Sequence, residues 1–306
     1  MKLGKLSIVA LLVVFASNAM AINGMFKTQF AVGETAALQS SVENKADGKL
    51  LYFGGPVISK AKVYTVFWGE GVNASVKAEM PAFYASVLNS SYMDWMTIYS
   101  TNVTAVDGRA GTNQTIGRGT YEGTLTLKPS ITATTIDDAD IQAELERQVK
   151  AGSLPAPDAD TLYMIHFPKG VSITMHDGSS VATSCQQFCA YHNGFKTESG
   201  AAIYYGAMPD LSSVSCSFGC GMGLSLLDRT TVTSSHELIE AITDPFPTPG
   251  TNPSFPQAWN TVDGYEIADL CQAGSSTLKT SAKSYKLSNE WNNSTGSCTK
   301  NDWVGQ

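Results

Sequence analysis

Charge is scarce in this chain of 306 residues, of which only 15% are Asp, Glu, Lys or Arg. A disordered tail or a coiled coil carries far more, so both are excluded. Basic residues are the scarcer kind, 20 Lys and Arg against 27 Asp and Glu. An acidic surface repels phosphate backbones and anionic headgroups, so neither nucleic acid nor a lipid surface is an expected partner. Glycine, at 27 residues, falls far short of a collagen-like third. There is no G-x-S-x-G nucleophile elbow, and Gly221-Met222-Gly223 has neither a preceding strand nor a P-loop lysine. Serine-hydrolase and nucleotide-binding readings therefore have little to stand on. After the first residues, no stretch is apolar enough for a membrane helix.

The one long apolar run is at the start. Residues 1–21 place Lys2 and Lys5 before Leu6 to Ala16, then Ala19-Met20-Ala21. That order of basic, apolar and small residues is a secretory signal peptide with an A-x-A cleavage site, too short for an anchor. The expected location is extracytoplasmic, either periplasm or medium. Residues 22–49 hold Glu34, Glu43, Lys45, Asp47 and Lys49 with little periodicity, and we expect a poorly ordered arm. Residues 50–306 are expected to form a single α/β or α+β domain.

Cys185, Cys189, Cys216, Cys220, Cys271 and Cys298 all lie in the second half. An even count behind a signal peptide points to disulfides, with a thiolate zinc ribbon as the alternative. Six cysteines allow fifteen connectivities. The pairing we expect is Cys185–Cys189, Cys216–Cys220 and Cys271–Cys298.

Strands are expected at 61–68, 121–127, 130–135, 161–167 and 201–207, where β-branched and aromatic residues cluster. Helices are expected at 75–89, 137–150 and 228–243 from apolar residues at helical spacing and their caps. His166 reads as a strand residue rather than a ligand. Tyr92, Trp95 and Tyr99 read as core, with a sugar-stacking face as the alternative.

Chemistry concentrates in Asp228 to Pro245, DRTTVTSSHELIEAITDP. On a helix, His236 and Glu240 project from one face and can bind one ion, as the histidines of H-E-x-x-H do. Glu237 beside them would take a proton from an attacking water. A glutamate in place of the second histidine adds a hard oxygen and a negative charge, which weakens the preference for zinc. Against this, Ser234-x-x-Glu237 is also a capping box, which would leave Glu237 only a structural duty. Asp228 is the rival N-cap and would place Glu237 in mid-helix. Asp244-Pro245 closes the helix.

Downstream, Gly264-Tyr265-Glu266-Ile267-Ala268-Asp269 sets two acids about one helical turn apart. The spacing resembles that of glutamate-zincin peptidases, in which a later helix supplies a carboxylate ligand and an Asp orients the first histidine. On that resemblance Glu266 is the ligand and Asp269 the orienter, with His192 and Asp244 competing for the ligand's place.

Several segments together resemble the EXORDIUM (phosphate-induced protein 1) family of plant cell walls, which also has bacterial members. They are LLYFGGPVISKAKVYTVFWG (50–69), SVLNSSYMDWMTIYS (86–100), AGSLP (151–155), FCAYH (188–192) and TDPF (243–246). The likeness covers most of 50–300. Bacterial relatives read S-H-E-L-x-E-A-x-T-D-P and then E-I-G-D-x-C, whereas the plant branch lacks the His-Glu pair. This chain has SHELIEAITDP and EIADLC, with Ala268 the departure. Two functions are implied. The first is a secreted zinc metallopeptidase acting on peptide or protein, with a zincin-like domain built on a mixed sheet. The second is a non-catalytic extracellular protein that binds a cell-wall or surface polymer.

Overall fold

Alternating β-branched and aromatic residues make Lys62–Phe67 a strand. The computed structural model describes residues 49–177, 180–247, 253–272 and 274–305, and places this strand second in a five-stranded sheet. The order across the sheet is Thr120–Thr126, Lys62–Phe67, Thr161–His166, Ala202–Met208 and Tyr191–Lys196. The first four strands are parallel and the last is antiparallel at the edge. Expected strands at 61–68, 121–127, 161–167 and 201–207 all fall here within a residue. The one expected at 130–135 does not form, and a short strand occupies Thr135–Asp137 instead. The signal peptide, and the arm except Lys49, lie outside the described residues.

Because successive strand residues face opposite ways, the sheet divides its apolar side chains between two cores. Val63, Leu162, Met164 and Tyr204 face one side, against the helix Ala74–Leu88 and the long helix Leu226–Thr243. Val66, Tyr163, Ile165 and Tyr205 face the other, against the helix Asp138–Lys150. Covered on both faces, Thr161–His166 is buried at every position. His166 in it is buried, not half-buried, and pairs with the Tyr84 hydroxyl at 3.1 Å.

Pro81 sits in the middle of its helix. It forgoes one backbone bond there, a loss the buried face of Met80, Phe83 and Tyr84 outweighs. The long helix starts earlier than expected. Its N-cap is Ser225, which accepts from the Asp228 amide at 3.1 Å, so neither Asp228 nor Ser234 caps it. Ser234 and Glu237 are therefore mid-helix, and the capping-box reading of Glu237 is overturned. Every residue from Arg229 to Thr243 is buried. The sheet covers one side, and on the other lies a sheet missed in the sequence, formed by Ser276–Lys279, Ser284–Leu287 and Asp302–Val304.

The disulfides are Cys185–Cys216, Cys189–Cys220 and Cys271–Cys298. The last is the expected pair, and the two local pairs are replaced by crossed ones. Cys216 and Cys220 lie one turn apart around the short helix Val214–Gly219 and face the loop bearing Cys185 and Cys189. With every described cysteine paired, the thiolate-zinc alternative falls away and an oxidising compartment fits. Tyr92 and Tyr99 are fully buried and Trp95 stacks on Trp303, so this cluster is core. No helix among the described residues is long and apolar enough to cross a membrane.

Candidate metal centre

The long helix supplies His236, Glu237 and Glu240, and the edge strand supplies His192. Tyr191 belongs to the far core, so the period of two turns His192 toward the helix. Gly194 lets that strand approach the helix end, since a Cβ there would lie 2.2 Å from the Pro245 carbonyl oxygen. Glu266 and Asp269 arrive on a loop and a single 3-10 turn, Asp269–Cys271, not on the later helix expected. Backbone bonds fix that segment: the Ala268 and Asp269 amides both donate to Glu240 Oε1 at 3.2 Å. The Trp291 amide donates to the Ile267 carbonyl at 2.9 Å.

Glu240 Oε2 is thereby left facing His236 Nε2 at 3.2 Å, with Asp269 Oδ1 at 3.8 Å from the same nitrogen. On the other side, His192 Nδ1 lies 3.6 Å from Glu237 Oε2 and 3.9 Å from Glu240 Oε2. His192 Nε2 donates to the Asp244 carbonyl at 3.0 Å, and Glu266 Oε1 is 3.4 Å from it but off line. The Asp244 carboxylate accepts from the Ala258 amide and from Asn260, so it is committed to a loop and offers no ligand.

Two groups of ligand atoms result, His192 with Glu237 and Glu240, and His236 with Glu240 and Asp269. Atoms bound about 2.1 Å from one ion lie about 3.4 Å apart in a tetrahedron, close to the separations here. Of the two acids expected here, only Asp269 falls within a group of ligand atoms. Asp269 sits in front of His236 among the ligand atoms, and Glu266 lies behind His192.

Nearly all of this is buried, with His236 the most exposed at 7% and Glu266 at 0%. Both Glu266 oxygens lack a hydrogen-bond partner. Arg229, the only buried Lys or Arg among the described residues, gives its guanidinium to the Leu211 and Leu224 carbonyls. Burial resists charge on His192, but Glu266, Glu237 and Glu240 outweigh it and hold its pKa well above the ordinary imidazole value. His236 is raised in the same way, against burial, by Glu240, Glu237 and Asp269. Burial drives Glu266 well up. The donor set and the orphaned carboxylate fit a divalent cation: buried His and Glu groups here can hold a metal, which would do the work that protons do in the free chain.

Sequence reading missed Glu290, an isolated acid in SNEWNNS with no periodic or motif signal. It is fully buried, accepts from Tyr92 Oη at 2.5 Å and is pushed up to about 8 by burial. A cavity of about 20 Å3, room for about one water, opens beside His236 between Val232, Cys271 and Ser288. No protein-family model, curated protein or solved structure matches this chain.

Proposed function

We propose that the protein is an extracytoplasmic metal-dependent hydrolase, with zinc held by His236, Glu240 and Asp269 and a peptide bond as the target. The observation that carries this reading is a mid-helix Glu237 with no capping duty, set beside His, Glu and Asp ligand atoms with no buried lysine or arginine among the described residues to neutralise them. Three protein ligands with an open position is the arrangement of catalytic zinc, and a bound zinc supplies Lewis acidity that polarises a carbonyl and acidifies nearby water. Glu237 accepts the proton of the attacking water and returns it to the leaving amine. The Asp244 carbonyl fixes His192 through Nε2, so that Nδ1 is the atom turned to Glu237. Ala268 and Asp269 amides hold Glu240 in place from behind.

The closed state of the site favours a second reading. Side chains at most 7% exposed and a cavity for one water leave no room for a peptide without movement. A non-catalytic surface-binding protein of EXORDIUM type, with an ion that only stabilises the fold, needs no such movement. Glu237→Gln separates the two. For a hydrolase it keeps the fold and the ion at His236, and lowers turnover of a peptide library by about 100- to 10,000-fold. Equal turnover removes Glu237 from the mechanism. Absence of turnover by zinc-loaded wild type moves the assignment to the binding protein.

A further inference from the structure

The two groups of ligand atoms share one residue. Glu240 Oε2 faces His236 Nε2 at 3.2 Å and His192 Nδ1 at 3.9 Å, while its other oxygen is held by two backbone amides. The imidazoles themselves fall in different groups, each defined by ligand atoms within 4.8 Å of one another. Ligand atoms on one ion with bonds of about 2.1 Å are separated by at most about 4.2 Å. One ion therefore takes one group and leaves the other.

We propose that the pocket is a two-cation centre, with one divalent ion on His236, Glu240 and Asp269, a second on His192, Glu237 and Glu240, and Glu240 as the bridge. This extends the single-ion reading above and rests on it.

Three observations support it. The first is charge. Glu237, Glu240, Glu266 and Asp269 bring four carboxylates into a space where, among the described residues, no buried lysine or arginine partners them, so that only the two imidazoles or bound cations can balance them. The second is Glu266, fully buried with neither oxygen hydrogen-bonded and one of them 3.4 Å from His192 Nε2. The Asp244 carbonyl takes the Nε2 proton, so Glu266 acts on this ring through charge alone, and a cation on His192 would give its carboxylate a partner that an ion at His236 alone does not. The third is orientation. With Nε2 donating to the Asp244 carbonyl, Nδ1 is the atom turned to Glu237 and Glu240, and on losing its proton it would offer its lone pair to a cation between them. Paired ions about 3.5–4 Å apart are a recurring hydrolytic arrangement. In that arrangement Glu237 Oε2 would bind the second ion and leave Oε1 to take the proton of the attacking water.

The test is stoichiometry of the purified chain after equilibrium dialysis against buffered zinc, read by mass spectrometry of the metal. Two ions per chain are expected, with one remaining in His192→Ala and one in His236→Ala. Wild type loaded with manganese is then expected to give an exchange-coupled paramagnetic spectrum, a result that needs no variant to fold. One zinc per chain with an uncoupled manganese spectrum overturns the two-cation centre and leaves the single-ion hydrolase standing. No bound zinc overturns both.

Discussion

At the scale of single residues, the balance in the pocket lies between protons and a cation. Glu290 rises to about 8 and Asp244 to about 6, in both cases because burial penalises their charged forms. Each holds its proton in the folded state at a pH where the unfolded chain has lost it. The unfolded state then binds fewer protons, so stability falls as pH rises from about 4 toward 8. His192 and His236, raised by their carboxylate neighbours, act in the same direction, because their contribution is present at low pH and is lost as pH climbs through the folded value. Glu144 and Asp158, lowered to about 2 by Arg147 and Lys62 among other partners, act oppositely below about pH 4. The metal-free chain is therefore expected to be most stable near pH 4–5. Denaturant midpoints from pH 4 to 8 check this, and Glu290→Gln should flatten the decline. A midpoint that rises steadily to pH 8 without metal would contradict it.

At the scale of elements, the long helix and the edge strand must meet closely. Gly194→Ala puts a methyl against the Pro245 carbonyl and the Tyr204 ring, at 2.2 and 2.9 Å. Forcing that contact should cost about 1–3 kcal/mol and draw His192 away from Asp244, lowering zinc affinity as well as stability. Unfolding and zinc titration of the same sample test both effects. Ser225→Ala, by contrast, should cost about 1 kcal/mol and leave metal affinity unchanged, since the cap lies far along the helix from His236.

These elements also show what was legible in the sequence. The i, i+4 spacing of His236 and Glu240 and the two acids of the 266–269 segment were readable because helical geometry and a local turn bring them together. The parts played by Glu266 and Asp269 were not, because they depend on which way a loop enters the pocket. His192 could be named as a competitor but not placed, since only strand register turns it inward. Glu290 was invisible, lying in the irregular segment just after a sheet whose strands of three and four residues carry too short a pattern. The crossed disulfides escaped for a similar reason, because helix orientation, not spacing, decides them.

At the scale of the whole molecule, the C-terminal strands close the pocket and the Cys271–Cys298 bond holds them there. Its loop spans 27 residues, and replacing both cysteines by serine should cost about 2–4 kcal/mol. Cys271 follows Asp269 by two residues, so zinc affinity should fall with it, and urea unfolding with and without zinc measures both. The four sheet strands that run parallel, the two cores and the paired cysteines hold a pocket whose donors have, among the described residues, no buried lysine or arginine to neutralise them. That pocket should contain metal. Elemental analysis of the protein, purified without chelator beside His236→Ala, tests this most directly. At least one transition-metal ion per wild-type chain, and fewer in the variant, is the expected result. Folded wild-type protein that carries no metal and takes up none from buffered zinc would contradict it.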